Sequence, residues 1–140
     1  MSDECVFCEI VRGDAPASVV YEDEMTMAFI GPRQFHAGHT LVIPRGHFRD
    51  VRELDPETGA AVMATVSRIT RAVGLAFPNQ GLSLWHSIGE AAFQEVPHLH
   101  IHVHPRKLDD DFLRIYPHAP ALPDKDTRDR YAAQVRAHLD

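Results

Sequence analysis

Short apolar runs and turn-forming residues alternate in the first third of the chain. The segments 18–22 (SVVYE) and 25–29 (MTMAF) are rich in β-branched and aromatic residues and are separated by two acidic residues, which predicts a β-hairpin. Glycines and a proline predict a loop at 31–38 (GPRQFHAG). The apolar run at 40–43 (TLVI) predicts a strand that ends at Pro44, because proline cannot donate to a strand ladder.

Helical periodicity replaces this pattern after residue 55. Asp55 is a typical N-cap residue, and Pro56 and Glu57 suit the first turn of a helix. Apolar residues then recur at helical spacing as Met63, Val66, Ile69 and Val73. We therefore predict an amphipathic helix over 56–75 that packs on the sheet.

The second half of the chain carries one more strand candidate and a second helix. The segment 82–87 (LSLWHS) has the composition of a strand, and Tyr131, Val135 and Leu139 recur at i, i+4 and i+8. Strands that follow one another through short turns, with few helices between them, are typical of antiparallel sheets. The predicted fold class is α+β with a mostly antiparallel sheet.

Composition and charge narrow the function classes. The chain has 140 residues, of which 44% are hydrophobic and 24% charged, as is typical of one soluble globular domain. No uncharged apolar stretch approaches the ~18 residues of a membrane span, and the acidic N-terminus does not resemble a secretion leader, so we expect no membrane partner and a cytoplasmic location. The formal net charge of -6 leaves no basic stripe for a nucleic-acid polymer, although a single nucleotide remains possible.

Histidine is unusually frequent, with 10 residues, and it clusters on one predicted strand. His98, His100, His102 and His104 alternate strictly with aliphatic residues. Because side chains in a strand alternate between its faces, the four imidazoles are expected on one face, close enough for several rings to contact one small group. Imidazole is both a common metal ligand and a nucleophile or acid–base catalyst near neutral pH, so both chemistries stay open.

The chain has 2 cysteines, Cys5 and Cys8, in a CxxC spacing. This spacing is compatible with a redox dithiol, a disulfide or half of a metal site. A structural disulfide is disfavoured in the expected cytosolic setting, and no βαβ pattern supports a thioredoxin-like dithiol. Two thiolates would need two further ligands to complete a tetrahedral zinc site.

The histidine segment, His98-Leu99-His100-Ile101-His102-Val103, resembles the signature of the histidine triad (HIT) family, although His104 stands where the family has an apolar residue. Three further segments resemble the family's motifs and follow its order along the chain. They are 5–11 (CVFCEIV), 38–44 (GHTLVIP) with His47 following, and 94–97 (QEVP).

The resemblance implies a single HIT domain over 1–140, with its core at 5–106 and a C-terminal extension at 107–140. It implies a sheet of about five strands with one long packing helix and a C-terminal helix. Many HIT proteins form twofold dimers through the long helix and an edge strand, so we also expect a homodimer.

The resemblance further implies a nucleotide-processing hydrolase or transferase, of the dinucleoside polyphosphate hydrolase or nucleoside phosphoramidase type. His100 would attack the α-phosphate and form a covalent nucleotidyl-histidine that water then hydrolyses. His102 would stabilise the phosphoryl oxygens or protonate the leaving group, and Gln94 would position an oxygen through its amide. His39 would line the same pocket, and Ser87 could donate a hydrogen bond to the substrate.

A zinc-binding branch of the family carries the same CxxC spacing. The resemblance assigns a structural zinc to Cys5, Cys8, His47 and His98, with no position open for substrate. His98 would then belong both to the metal centre and to the catalytic triad, where it would orient His100.

Three positions depart from the family's pattern. Gly31 stands where an aspartate binds the ribose hydroxyls, Ser87 where an amide is usual, and Phe93 where a glycine lets the backbone approach phosphate. We therefore expect the phosphoryl chemistry to persist with an altered nucleoside preference.

Two other function classes remain open. A nucleotide-binding module without catalysis would agree with the three departures. A metal-dependent hydrolase could hold a catalytic cation on the four-histidine face, although no acidic residue completes an open site there. For Phe35, Trp85 and Phe93 we expect core packing, and for His104 an exposed position beyond the pocket.

Overall fold

The computed structural model describes residues 5–139, so the predicted domain limits at 1 and 140 lie outside the described residues. Five strands are present: β1 Val19–Glu22, β2 Thr26–Ile30, β3 Thr40–Pro44, β4 Gly81–Trp85 and β5 Ile101–Arg106. Three α-helices are present: α1 Val6–Arg12, α2 Pro56–Ala76 and α3 Lys125–Arg136. Two short 3-10 helices span Val51–Glu53 and Glu90–Ala92.

The strands form one sheet in the order β1-β2-β3-β5-β4, and every neighbouring pair is antiparallel. The predicted α+β class, the hairpin and the five-stranded sheet are therefore confirmed. The hairpin strands begin one residue later than predicted, at Val19 and Thr26. β4 ends at Trp85, so His86 and Ser87 lie beyond the strand that was predicted to include them.

Both faces of the sheet centre are covered, which explains why β3 is a continuous apolar run. Leu41 and Ile43 pack with Phe7 of α1 on one face. Val42 packs with α2 and with Val103 of β5 on the other. The histidines that alternate with Val103 therefore face the same side of the sheet as α1.

α2 confirms the predicted long helix and extends it by one residue, to Ala76. The Asp55 carboxylate accepts a hydrogen bond from the Thr58 amide at 3.0 Å, which caps the helix as its sequence predicts. Its buried stripe is Val62, Val66, Ile69 and Val73. Met63 was predicted to face inward but is 57% exposed, because Val62 occupies that position of the stripe.

α1 was not predicted, since seven residues are too few to display a helical period. Cys5 is its N-cap, and its sulfur accepts a hydrogen bond from the Cys8 amide at 3.4 Å. Gly13 ends the helix in a left-handed conformation at φ 86°.

The described chain divides into two compact units at the bond between Asp110 and Asp111. The first contains the sheet with α1 and α2, and the second contains α3, which confirms the predicted C-terminal helix. The assignment of a single domain with its core at 5–106 stays a prediction. Among residues 5–139, no helix is long and apolar enough to cross a membrane.

Candidate functional site

Four side chains from three separate segments converge beside the start of α1. They are Cys5, Cys8, His47 and His98, and their ligand atoms all lie within 4.8 Å of one another. The Sγ of Cys5 lies 3.4 Å from Nδ1 of His98, and the Sγ of Cys8 lies 3.2 Å from Nδ1 of His47. A tetrahedral zinc with two sulfur and two nitrogen ligands separates neighbouring ligand atoms by roughly 3.3 to 3.8 Å, so this donor set fits a metal ion.

The tautomer of His98 also fits a ligand role. Its Nε2 lies 3.0 Å from the carbonyl oxygen of Pro44 and can only donate to it. The lone pair is therefore on Nδ1, which faces the two sulfurs. A ring that donates its second nitrogen to a backbone carbonyl is the usual orientation of a metal-bound histidine.

Burial governs the ionisation of this cluster. Burial, followed by the neighbouring Cys5, raises the pKa of the Cys8 thiol to about 11. Burial also lowers the pKa of His98 to about 4, so its ring is neutral at pH 7. A cation offsets the cost of a buried thiolate, so both groups are better suited to holding one than to remaining unliganded.

His100 is buried, and its orientation is fixed by the segment that holds His98. Its Nδ1 lies 2.7 Å from the carbonyl oxygen of His98 and donates to it, which leaves the lone pair on Nε2. The ring of Phe7 packs edge-on against both His98 and His100, with centroid distances of 5.8 and 5.2 Å. Burial lowers the pKa of His100, so the ring is neutral at pH 7.

His102 lies next along the same face, with its ring centroid 5.0 Å from that of His100. Its Nδ1 lies 2.8 Å from Nε2 of His39, so one ring donates to the other. The indole of Trp85 stacks on His102 at 4.3 Å with an interplanar angle of 7°. Burial, and then the neighbouring histidines, lower the pKa of His102 to about 3 and that of His39 to about 4.

The regular strand is shorter than the sequence predicts. β5 begins at Ile101, so His98 and His100 precede it and only His102 and His104 belong to its ladder. The four rings still share one face. Phe7 contacts the rings of His98 and His100, and His39 contacts those of His102 and His104. The sequence therefore predicts the common face correctly and the start of the strand incorrectly.

The prediction that His104 is exposed is wrong, since its side chain is fully buried. Its Nδ1 donates to the carbonyl oxygen of Pro105 at 2.9 Å, and its ring lies 4.7 Å from that of His39. His104 belongs to the middle pair of the β4–β5 ladder, opposite Ser83, so paired residues flank it on both sides. His104 therefore adds a buried ring beside that of His39 and does not lie at the surface.

Two residues to which the sequence assigned no role, His36 and Asp110, continue the contacts of His104. His36 lies 5.5 Å from the ring of His104 and contacts the Asp110 carboxylate at 3.1 Å. Asp110 also accepts two hydrogen bonds from Arg106, at 2.7 and 2.6 Å. Neither a loop histidine nor an aspartate after the last strand carries a local signal, so only the fold could reveal them.

His39 owes its position to a glycine. Gly38 has φ +109°, and a Cβ there would lie 2.6 Å from the ring of Phe77. The close approach of Phe77 constrains the backbone just before β3. His39 lies there, within hydrogen-bond distance of His102. Gly31, where the family resemblance leads us to expect an aspartate, lies beside the same ring, since a Cβ at residue 31 would be in van der Waals contact with Nδ1 of His39 at 3.6 Å.

Gln94 and Ser87, the other two predicted substrate contacts, lie in loops. The amide nitrogen of Gln94 donates to the carbonyl oxygen of Arg49 at 3.2 Å, and its amide oxygen accepts from Gly89 at 3.0 Å. Gln94 therefore holds the loop that leads into the triad. Ser87 is half-buried two residues after the end of β4.

The aromatic residues outside the core motifs also depart from prediction. Phe93 is 85% exposed and Phe35 is 57% exposed, so the expected core packing is wrong for both. Trp85 is half-buried, and its packing is against imidazole rings and not against the aliphatic core. The residues lie beyond the two apolar clusters because loops and an edge strand, not the sheet centre, carry them.

Comparison with known proteins agrees with this geometry. The HIT domain model matches residues 12–109. "Protein hit" of Bacillus subtilis is 41% identical over 105 residues, covering 75% of this chain and 72% of that protein. "Adenosine 5'-monophosphoramidase hnt1" of Schizosaccharomyces pombe is 31% identical over 122 residues, covering 86% and 89% of the two chains.

A solved structure of a HIT family protein from Bacillus anthracis superposes with a TM-score of 0.91 at 33% identity, covering 100% of each chain. The five-stranded antiparallel sheet is thus shared with a protein of that family. With the family's domain matched over more than half of the sequence and the triad on one face of the sheet, the chain belongs to the HIT family.

Proposed function

We propose that the protein hydrolyses nucleotide conjugates at the α-phosphate through a covalent nucleotidyl-histidine. The observation that carries this proposal is the 2.7 Å hydrogen bond from Nδ1 of His100 to the carbonyl oxygen of His98. It places the lone pair on Nε2 of a neutral ring, which is the state that a histidine nucleophile needs. A name such as adenosine 5'-monophosphoramidase for one relative supports the reaction class.

The proposed reaction has two displacements at phosphorus. Nε2 of His100 forms a bond to the α-phosphorus while the bond to the leaving group breaks, and the leaving group takes that electron pair and a proton from Nε2 of His102. Water then attacks the same phosphorus, its proton returns to Nε2 of His102, and the electron pair of the phosphorus–nitrogen bond returns to Nε2 of His100. Division into two steps lowers each barrier, and the products are a nucleoside monophosphate and the protonated leaving group.

We assign the neighbouring rings to charge stabilisation and proton transfer. If His39 donates its Nε2 hydrogen to Nδ1 of His102, then His102 carries its own hydrogen on Nε2, where it can donate to a phosphoryl oxygen. Neutral donors suit this role because the low pKa values of both rings keep them uncharged at pH 7. Gln94 would act with the backbone amides of its loop.

We further propose that the Cys5, Cys8, His47 and His98 cluster holds a structural zinc. Its two sulfur and two nitrogen donors are a set that zinc prefers, and all four protein positions are filled. Zinc would supply no reaction step here. It would fix His98, whose carbonyl oxygen accepts from His100, and so hold the nucleophile in orientation.

A substrate panel tests the proposed function. Adenosine 5'-phosphoramidate, a diadenosine polyphosphate and adenosine 5'-phosphosulfate are mixed with the protein, and release of AMP is measured by chromatography. We expect turnover of at least one member and a loss of at least about 1,000-fold in His100→Ala. His118→Ala, which changes an exposed histidine, is the matched control and keeps full activity. No turnover of any member would contradict the proposal.

A nucleotide-binding module without catalysis is the second candidate. The engagement of the Gln94 amide with Arg49 and Gly89 favours it, because that amide is then less available to a phosphate. Calorimetry with nucleotides separates the two candidates, since tight binding without product would support the module. The metal-dependent hydrolase is less favoured because Nδ1 of His98 faces the cysteine sulfurs and not the other triad rings.

We also propose a homodimer through α2 and the edge strand β4. Leu82 and Leu84 of β4 are 37% and 48% exposed, and Leu75 of α2 is 90% exposed. Leu82 approaches the helix at Gly74, where a Cβ would lie 3.1 Å from its Cδ1, so the apolar surfaces are continuous. An edge strand with an apolar flank favours pairing with a second copy. A cytoplasmic location stays a prediction.

A further inference from the structure

A cavity of about 650 Å³ lies beside the loop that leads into the triad. Its lining includes Arg49, Phe93 and Gln94. The triad rings do not line it, but Pro97, which directly precedes His98, does. The amide of Leu99 donates to the carbonyl oxygen of Phe48 at 2.6 Å, so the segment that carries Arg49 runs alongside the residues between His98 and His100. The volume is within the range of small-molecule sites.

Phe93 stands at the rim of this cavity in an unusual state. Its backbone is left-handed, with φ 64° and ψ 38°, a conformation that disfavours bulky residues. Its ring is 85% exposed, so burial of the ring does not compensate for the backbone strain. An exposed aromatic ring held in a strained conformation contributes little to the fold, and such residues are concentrated at ligand sites.

The loop holds this ring in place through its own hydrogen bonds. The Phe93 amide donates to the carbonyl oxygen of Glu90 at 2.9 Å, and the Gln94 amide donates to that of Gly89 at 3.1 Å. The side chain of Gln94 accepts from the Gly89 amide at 3.0 Å and donates to Arg49. Phe93, which lines the cavity, is thus held in a closed turn before any ligand binds.

The charges around the cavity nearly cancel. Arg49 contributes one positive charge and Glu90 one negative charge. The carboxylate of Glu95 is paired with Arg33 at 2.9 Å. A site of nearly zero net charge with an exposed ring favours an uncharged planar group over an anion such as sulfate or a phosphate chain.

We propose that this cavity receives the leaving group and that Phe93 selects leaving groups with an uncharged planar ring. The inference rests on the proposed function. An aryl-amine nucleoside phosphoramidate is the substrate class: the bond from phosphorus to the amine nitrogen breaks as Nε2 of His100 bonds to phosphorus, and the amine leaves with the electron pair and a proton. The ring of the amine stacks on Phe93.

The test compares two substrates that differ only in the leaving group, adenosine 5'-phosphoramidate and its N-aryl derivative. The readout is the ratio of their kcat/KM values, aryl to unsubstituted. Phe93→Ala lowers this ratio about tenfold or more, as loss of base stacking on an aromatic residue does in other proteins. Phe93→Tyr keeps the ratio within about threefold, because it retains the ring.

Two controls separate the effect of the Phe93 ring from the effect of its backbone strain. Phe93→Gly relieves the left-handed strain and also removes the ring, so it lowers the ratio as much as Phe93→Ala does. Tyr131→Ala removes an exposed ring of α3 and leaves the ratio unchanged. Turnover of both substrates with the same ratio in Phe93→Ala and in the unaltered protein would overturn the inference and leave the proposed function standing.

A binding measurement keeps the two failures distinct. Calorimetry of the N-aryl substrate with His100→Ala and with the double variant His100→Ala, Phe93→Ala measures binding without turnover. We expect the double variant to bind it about tenfold more weakly. If the unaltered protein turned over neither substrate and this difference persisted, the proposed function would fail and the selective cavity would stand. Equal binding by the two variants would overturn the proposed role of Phe93 in the cavity.

Discussion

At the scale of single residues, His98 connects two sites. Its Nδ1 faces the cysteine sulfurs, its Nε2 donates to Pro44, and its carbonyl oxygen orients His100. The ring of this one residue is thus a proposed metal ligand, and its backbone supports the proposed nucleophile. A change in the position of His98 would reach His100 through a single hydrogen bond.

Burial of neutral histidines makes stability depend on pH. His39 has a pKa of about 4 in the folded chain and an ordinary value of 6.5, so below pH 6.5 the unfolded chain binds a proton that the folded chain does not. The free energy of unfolding therefore decreases as pH falls from 6.5 to about 4, by at most about 1.4 kcal/mol per pH unit for this group.

Urea unfolding at pH 7 and pH 5 measures this effect in the unaltered protein and in His39→Asn. We expect the loss between the two pH values to be smaller in His39→Asn, by about 1 kcal/mol after allowance for the partial exposure of the ring. His118→Ala, an exposed histidine, keeps the loss of the unaltered protein. An equal loss in His39→Asn would show that His39 titrates normally in the fold.

The residue types of the site could be predicted, and their surroundings only in part. The alternation of histidines and aliphatic residues predicts the common face, because a strand allows no other arrangement of a period of two. The burial of His104 and the contact of His36 with Asp110 depend on segments far apart in the chain, so no local pattern predicts them.

At the scale of elements, α1 is the part of the fold with the least support of its own. Seven residues do not form a stable helix alone, so α1 depends on its packing and on the cysteines at its start. Phe7 packs against Phe29 of the sheet and against His98 and His100. The proposed metal centre would therefore anchor α1 to the triad.

Loss of the metal is expected to destabilise the fold and weaken the site. Cys5→Ser removes one ligand, and we expect one zinc per chain in the unaltered protein and none in this variant by metal analysis. The melting temperature falls by about 10 °C or more, which corresponds to a loss of a few kcal/mol in a chain of this length.

His100→Ala is the control for the metal, because it removes a triad ring and no ligand. It keeps one zinc per chain and a melting temperature within a few degrees of the unaltered protein. A Cys5→Ser variant that kept both its zinc and its melting temperature would contradict the proposed metal centre.

The long elements were predictable, and the short or interrupted ones were not. α2 has an N-cap residue, a proline in its first turn and apolar residues at helical spacing along its 21 residues, so its limits follow from the sequence. β5 was predicted too long because the alternation of histidines with aliphatic residues begins at His98, whereas the strand ladder begins only at Ile101.

At the scale of the whole molecule, the formal net charge of -6 opposes an anionic substrate at long range. The proposed site would offset this with neutral hydrogen-bond donors: the imidazoles of His39 and His102, the Gln94 amide and backbone amides. The proposed second copy of the chain extends this arrangement by covering the β4 edge.

The dimer is tested by sedimentation equilibrium. We expect twice the monomer mass for the unaltered protein and a monomer for Leu84→Glu, because a carboxylate buried in an apolar interface costs several kcal/mol. Leu139→Glu, at an exposed leucine of the second unit, is the matched control and stays a dimer. A monomeric unaltered protein at micromolar concentration would contradict this proposal.

The proposed reaction depends on a covalent bond between His100 and the nucleotide, and single-turnover rapid quench detects this bond. Protein in excess over adenosine 5'-phosphoramidate is quenched at millisecond intervals under basic conditions, which preserve an acid-sensitive phosphorus–nitrogen bond, and its peptides are mapped by mass spectrometry. We predict one adenylyl group on the peptide that carries His100, formed before AMP appears and absent in His100→Ala. Adenylylation of another residue, or undiminished release of AMP by His100→Ala, would contradict it.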